Sequence, residues 1–342
     1  MKAREISLLI LGLCILSLIV GLFNLPNKGL EAKKACRAES KSAIFNKFSA
    51  SGDKIALIIL QGPISSGDAG SLFGDVYNAD RMLRALRRAQ EDKGVKGVLL
   101  RINSPGGTVA MSQEGYNLIM DIRKEKPVVV SMLDVAASGG YYIASAADRI
   151  YANPGTLTGS IGVIFETVDA SGLLSDKLGI KWEVIKSGKF KDVGSPYRAL
   201  SPDEKTLLNG LITNTYKQFV NDIIKARVNR TDSYKAEKKV LSKGNLEKYA
   251  DGRIFTGEQA LEYGFVDSLG GLAEATQGIK KMAKQKFPGV SDKIPVVNFN
   301  KPSDISELFF NIESRFVPSG NSVESLIPFS KRHPRQPLFM WE

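Results

Sequence analysis

From residue 53 onward the chain alternates short apolar runs with stretches of helical spacing. Lys54-Ile55-Ala56-Leu57-Ile58-Ile59-Leu60 is nearly continuous in aliphatic residues and stops at Gln61-Gly62-Pro63. Such a run, bounded by turn residues, predicts a strand buried on both faces. Residues 64–77, rich in Gly, Ser and Asp, read as a loop. From Ala79 to Gln90, Met82, Leu83 and Leu86 share one helical face. Val95 to Ile102 is a second strand signal, ending in Asn103-Ser104-Pro105-Gly106-Gly107, and a helix is predicted over 110–124. Pro127 to Met132 predicts a third strand, leading into Ala136-Ala137-Ser138-Gly139-Gly140-Tyr141-Tyr142 and a short helix. Arg149 to Ala152, Gly162 to Phe165 and residues 181–186 predict further short strands, with a helix near 170–177. Ser201-Pro202-Asp203-Glu204 predicts the start of a long helix, because Ser caps, Pro suits the first turn and Glu204 completes a capping box. Strands alternating with helices predict an α/β fold around a buried sheet.

The ends of the chain follow other rules. Ile6 to Phe23 is a run of eighteen uncharged, mostly aliphatic residues, preceded by Lys2 and Arg4. That length is near the minimum for crossing a bilayer. Asn24-Leu25-Pro26-Asn27 supplies no small-residue cleavage site, so an uncleaved anchor is expected within residues 1–27. Lys and Arg are more numerous after the run than before it, but long domains translocate largely regardless of charge. The expectation is a single-pass protein of the cell (inner) membrane, with a cytoplasmic N-terminus and an extracytoplasmic body. Residues 28–52 read as a polar linker, 53–290 as the folded domain and 291–342 as a tail. The apolar end of that tail, Pro337 to Trp341, is expected to be disordered or to dock on a neighbouring subunit.

Composition then narrows the chemistry. Of 342 residues, 43% are hydrophobic and 24% charged, enough apolar surface for a sizeable core. The net charge of +11 gathers partly at Lys28, Lys33, Lys34, Arg37 and Lys41, and at Lys331, Arg332 and Arg335. No zinc-finger spacing or RNA-binding aromatic motif accompanies it, so no nucleic-acid partner is expected. The two cysteines are Cys14 and Cys36, which rules out a disulfide framework or a four-ligand cysteine zinc site in the body. The single histidine, His333, lies in the proline-bearing tail. A hydrolase of this composition is therefore expected to use a base other than histidine, with no metal and no cofactor.

Two glycine-rich breaks, Ser104-Pro105-Gly106-Gly107 and Ala137-Ser138-Gly139-Gly140, each follow a strand signal and precede a helix. Such turns lie at the sheet edge where α/β proteins bind ligands. Glycines there let backbone N–H groups face a pocket, and those amides suit the oxyanion of acyl transfer. Neither break has the spacing of a phosphate loop. Taken alone, each reads more readily as an ordinary tight turn than as a site. A nucleophilic serine at such a turn needs a base, and a desolvated, neutral lysine is the alternative to histidine. Ile185-Lys186-Ser187-Gly188-Lys189-Phe190-Lys191-Asp192 offers three lysines, among which spacing does not choose.

These segments together resemble the signal peptide peptidase A family of bacterial membrane serine proteases, in its short form. The resemblance is carried by the two glycine-rich breaks, then by Gly159-Ser160-Ile161-Gly162-Val163 and Ser187-Gly188-x-x-Lys191-Asp192. Gly252-Arg253-Ile254-Phe255-Thr256-Gly257 and Gly264 to Gly271 complete it. All occur in family order over residues 53–285. The resemblance implies a Clp-protease/crotonase-like fold of ββα units. It implies Ser138 as nucleophile, Lys191 as base, the Gly107 and Gly139 amides as oxyanion donors, and Ser160 as the serine that orients the lysine amine. It further implies ring- or dome-shaped homo-oligomers in which Ser and Lys can come from neighbouring subunits. Remnant signal peptides and other apolar, extended segments at the membrane are the implied substrates. The rival readings are a crotonase-type acyl-CoA enzyme, a non-catalytic scaffold of the same fold, and a sister protease that cuts membrane proteins.

Overall fold

The structure, a computed structural model, describes residues 52–66, 77–230, 240–301 and 338–340. The apolar run Ile6 to Phe23 and linker residues 28–51 lie outside the described residues, among which no helix is long and apolar enough to cross a membrane.

β1 (Lys54–Gln61) and β2 (Val95–Ser104) pair in parallel, with α1 (Ala79–Glu91) as their crossover. The Asn78 side chain caps α1 by accepting from the Arg81 N–H at 3.0 Å. β3 (Gly106–Thr108) and α2 (Val109–Glu125) lead to β4 (Val128–Ala137), which lies parallel to β2. Ser138 alone separates β4 from α3 (Gly139–Ser145). β5 (Arg149–Ala152) and β6 (Leu157–Gly159) follow, then α4 (Pro202–Ile223), whose Ser201–Glu204 capping box forms as the sequence predicts. The chain continues through α5 (Lys243–Tyr249), β7 (Ile254–Thr256), α6 (Gly257–Tyr263), β8 (Ser268–Leu269) and α7 (Leu272–Lys286). Within 291–342, β9 (Val296–Asn298) and β10 (Leu338–Met340) are strands.

The main sheet has the order β7-β6-β4-β2-β1-β9, with β5 on β4 and β8 on β5. Every pair in it is parallel except β6–β7. The expected α/β class is therefore what forms, and both faces of the sheet are covered. Ala56, Ile58, Leu60, Val98, Leu100, Ile102, Val130 and Met132 face one core, shared with the inner sides of α1, α2 and α3. The alternate residues Ile55, Leu99 and Val129 face a second core closed by Ala275, Ile279 and Met282 of α7. This is the period-two division of a strand buried on both sides. Gly97 is where α7 comes closest, since a Cβ there would sit 2.9 Å from Ile279 Cδ1.

Two strand predictions fail. Residues 162–165 form no strand, and Ile164 makes only an isolated bridge. Residues 181–186 form none either, although their alternation fits one; the whole stretch is exposed, and Ile185 is 97% accessible. A strand pattern needs a neighbour to bond and a face to bury, and this segment finds neither within the described chain. Conversely, β4 runs five residues past the predicted end at Met132, because Val135, Ala136 and Ala137 gain β6 as a partner.

Asp267, within the Gly264 to Gly271 motif, is structural. It is buried, accepts from Arg227 Nη2 at 2.8 Å and Arg230 Nη1 at 3.1 Å, and also accepts the Ile150 N–H at 2.8 Å. Burial alone pushes its carboxyl up, but the two guanidinium groups bring it below the ordinary carboxylate range. Asp267→Ala leaves both cations buried and is expected to cost about 3–5 kcal/mol. Ile279→Ala, which opens the second core, is expected to cost about 2–5 kcal/mol. Because the folded carboxyl titrates low, Asp267 contributes fully above about pH 4 and its contribution fades as the pH falls further. Urea unfolding at pH 7 and pH 3 checks all three; an Asp267→Ala midpoint equal to wild type would refute the clamp.

Candidate active site

The two glycine-rich breaks are neighbours in space. β2 and β4 are adjacent parallel strands, and Ser104 pairs with Ala136 at their C-terminal ends. On the other side of β4, Ala137 pairs with Gly159, so Ser160 leaves β6 beside Ser138. Gly107, Ser138, Gly139 and Ser160 thus meet at one end of the sheet, where α/β proteins place their ligands.

Ser138 has φ 52° and ψ −115°. Among the described residues, only Ser138 and Ser160 (φ 50°) are non-glycine residues with positive φ. Side chains avoid that region at a cost of about 1–3 kcal/mol, and residues forced into it concentrate at functional sites. What forces it here is visible. The Ser138 N–H donates to Gly159 O at 2.8 Å while its carbonyl accepts the Tyr142 N–H at 2.8 Å and opens α3. Ser160 is fixed in the same way, its N–H donating to Arg253 O at 2.8 Å. The Ser138 side chain is buried, and its Oγ has no hydrogen-bond partner. Most buried polar side-chain atoms have a partner, and among the described residues Ser268 Oγ is the other buried hydroxyl without one.

Gly107 is held by Ile64, a contact that sequence reading missed within its loop. Ile64 N–H donates to Gly106 O at 2.8 Å, and Thr108 N–H donates to Ile64 O at 2.7 Å. A Cβ on Gly107 would lie 2.0 Å from Ile64 O, so only glycine fits. Because Gly106 and Thr108 direct these groups toward Ile64, the alternation of a strand turns the Gly107 N–H and C=O the opposite way. On that side lies β10, paired antiparallel with β3 so that Phe339 is opposite Gly107 and Met340 opposite Gly106. Gly139 supplies a first-turn amide of α3, a position with no intrahelical acceptor. Gly140 packs against β2, where a Cβ would come within 3.0 Å of Ser104 O.

The three lysines are distinguished by their partners. Lys186 pairs with Asp192 at 2.6 Å, and Lys189 pairs with Asp203. Lys191 has no carboxylate partner among the described residues, and its N–H closes a turn onto Gly188 O at 3.1 Å. Its side chain is exposed and makes no hydrogen bond to the buried Ser138 within the chain. The segment is anchored just behind it by Arg198, which holds Asp192 at 2.7 and 2.9 Å and Glu204 at 2.5 and 2.8 Å. That double role of Glu204, as capping-box residue and as partner of Arg198, is not legible from its spacing alone. Hydrogen bonds from Arg198 hold both carboxyls low, Glu204 at about 2. Around this anchor Val168, Leu173, Leu178, Ile180 and Trp182 are all exposed, and Trp182 stacks on Tyr197 at 4.1 Å.

The chain is similar to known peptidases. The family model of peptidase family S49 matches residues 121–286. A protein of Enterococcus faecium, provisionally named signal peptide peptidase SppA, is 37% identical over 285 residues, covering 80% of this chain and 78% of its own. A protein of Synechocystis, provisionally named as a protease, is 39% identical over 71% of this chain and 81% of its own. The chloroplastic serine protease SPPA of Arabidopsis thaliana is 33% identical over 80% of this chain and 39% of its own.

The Arg198 anchor predicts an acid response. Its carboxyls titrate low when folded, so their contribution is intact above about pH 4.5 and is lost as the pH falls toward their folded values. Hydrogen-exchange protection of residues 187–201, taken relative to the intrinsic rate at each pH, is expected to fall between pH 6 and pH 3, and Arg198→Ala is expected to show the lowered protection already at pH 7. Equal protection in Arg198→Ala and wild type would refute the anchor.

Proposed function

The chain belongs to peptidase family S49 and is a serine peptidase, and on that premise we propose that Ser138 is its nucleophile and Lys191 its general base. The observation that carries the reading is Ser138 itself. It is a buried serine in a left-handed turn between strand and helix, its hydroxyl unpartnered, beside Gly107 and Gly139. Ser138 Oγ attacks the peptide carbonyl while neutral Lys191 takes its proton. The Gly107 and Gly139 amides bind the oxyanion, each donor lowering the barrier by about 3–4 kcal/mol in comparable sites. Lys191 then protonates the leaving amine and later activates the water that releases the acyl group. Ser160, buried at the end of β6, orients the amine.

The pairing of β3 supports a reading of the substrate class. Its free edge already accepts Leu338-Phe339-Met340 as an antiparallel strand, so an extended apolar segment is what this edge binds. We assign remnant signal peptides and similar apolar peptides as substrates, on a Clp-protease/crotonase-like domain anchored in the inner membrane by Ile6 to Phe23. Its body is extracytoplasmic. The exposure of Lys191 and the apolar surface around it support a homo-oligomer in which the lysine reaches Ser138 of a neighbouring copy.

Wild type, Ser138→Ala and Lys191→Ala proteins, each offered a signal peptide and a folded protein, test the pair. Either substitution is expected to cut signal-peptide cleavage at least a thousandfold, on the order seen for other catalytic serine–base pairs. Activity should also rise from acid toward alkaline pH, since an amine acts as a base only when deprotonated. Two inactive variants mixed after subunit exchange should recover about a quarter of wild-type activity if Ser and Lys come from different copies. Wild-type rates in both single variants, or a flat pH profile, would defeat the assignment, and no recovery on mixing would place both residues in one copy.

A further inference from the structure

On the outer face of α1 lies a cavity of about 530 Å³ lined by Arg81, Arg84, Arg87, Arg88, Asn300 and Lys301. The arginines fall at i, i+3, i+6 and i+7 on one side of the helix, opposite the buried Met82, Leu83, Leu86 and Ala89. Five cations converge there. Two carboxylates are near: Glu114 pairs with Arg87, and Asp80 stands in the first turn of α1. Arg88 donates to the Phe299 carbonyl, which ties the C-terminal end of β9 to the helix. Asn300 fixes the same wall, its side chain donating to Ile59 O at 2.7 Å and accepting the Ile59 N–H at 3.1 Å. Arg81 and Arg84 have no ion-pair partner among the described residues, and both side chains reach the cavity.

Like charges three and four residues apart on a helix destabilise it. Here Arg81–Arg84, Arg84–Arg87 and Arg84–Arg88 are all such pairs. An anion seated among them would reverse the sign of that interaction. Guanidinium forks match the oxygens of a phosphate, which they bind in bidentate, charge-assisted fashion. The cavity is much larger than one phosphate, so a phosphate ester fits it better than the bare ion does.

We propose that this cavity is a binding site for a phosphate ester, with Arg81 and Arg84 as the principal ligands and Arg87 and Arg88 as supporting charge. The full-length protein in neutral detergent, titrated with inorganic phosphate, glycerol 3-phosphate, phosphatidylglycerol and phosphatidylcholine, provides the test. Arg81→Gln/Arg84→Gln is the comparison variant, since both positions lie on the outer face of α1 and glutamine keeps helix propensity. The expected result is saturable binding of at least one phosphate ester, weakened at least about tenfold in the double variant and weakened further by salt. Glycerol 3-phosphate binding as tightly as phosphatidylglycerol assigns a soluble ester. Binding of phosphatidylglycerol alone assigns an anionic lipid headgroup. No saturable binding of any probe, or equal affinity in wild type and variant, overturns the proposal. Circular dichroism and signal-peptide cleavage, both expected to match wild type, establish that the variant is folded.

Discussion

β4 changes partner along its length. Val129 to Met132 lie against β5, and Val135 to Ala137 lie against β6. Leu133 and Asp134, between the two, pair with neither strand. Side chains complete the backbone bonding across this step. Thr156 Oγ1 donates to Leu133 O at 2.6 Å, and Asn103 Oδ1 accepts the Val135 N–H at 3.1 Å. Buried backbone groups need partners, so the change of partner is stable only because Thr156 and Asn103 supply them. Its consequence is that β6, not β5, ends beside Ser138. The Gly159 carbonyl then reaches the Ser138 amide and holds it in a left-handed conformation that its side chain disfavours.

The same logic fixes the opposite wall. Gly107 is pressed against the Ile64 backbone so closely that no side chain fits. That contact uses the amide and carbonyl of Ile64 and leaves the outward edge of β3 to bond an extended chain. Strain at Ser138 and crowding at Gly107 are local costs, and the two cores on either side of the sheet are large enough to bear them. Neither cost would be tolerated on a flexible loop. Ser138 directly follows β4, and Gly107 lies in β3 just past the end of β2; β2 and β4 are buried on two faces, so the geometry is set before any ligand arrives.

Much of this was readable from the pattern alone. Continuous aliphatic runs gave β1, β2 and the first half of β4, and the Ser201–Glu204 spacing gave the start of α4. The glycine breaks pointed to the right end of the sheet because both follow a strand and precede a helix, although each alone could be an ordinary turn. What stayed hidden depended on tertiary partners. β6 is three residues long and has no apolar signature of its own. β9 looks like tail, and only its pairing with β1 makes it part of the sheet. Residues 181–186 erred the other way: their alternation is genuine, but nothing in the described chain covers it. The choice among Lys186, Lys189 and Lys191 was equally beyond spacing, since it rests on which amines meet a carboxylate in three dimensions.

That choice bears on how the proposed base could work. An amine paired with a carboxylate is held in its charged form, which is what a general base must avoid. Asp192 and Asp203 occupy Lys186 and Lys189, and Arg198 saturates the rest of Asp192, leaving Lys191 without such a partner. An amine that serves as a base must also be neutral. It becomes a base only where apolar surface removes its water, and the segment bearing Lys191 carries that surface on its outside, in Ile180, Trp182, Ile185 and Phe190. On the proposed reading, one contact would do two things at once. Packing this apolar segment against another copy would deliver Lys191 to Ser138 and remove water from around its amine. Catalytic competence would then be a property of the assembly, and an isolated chain would hold a prepared nucleophile with no base.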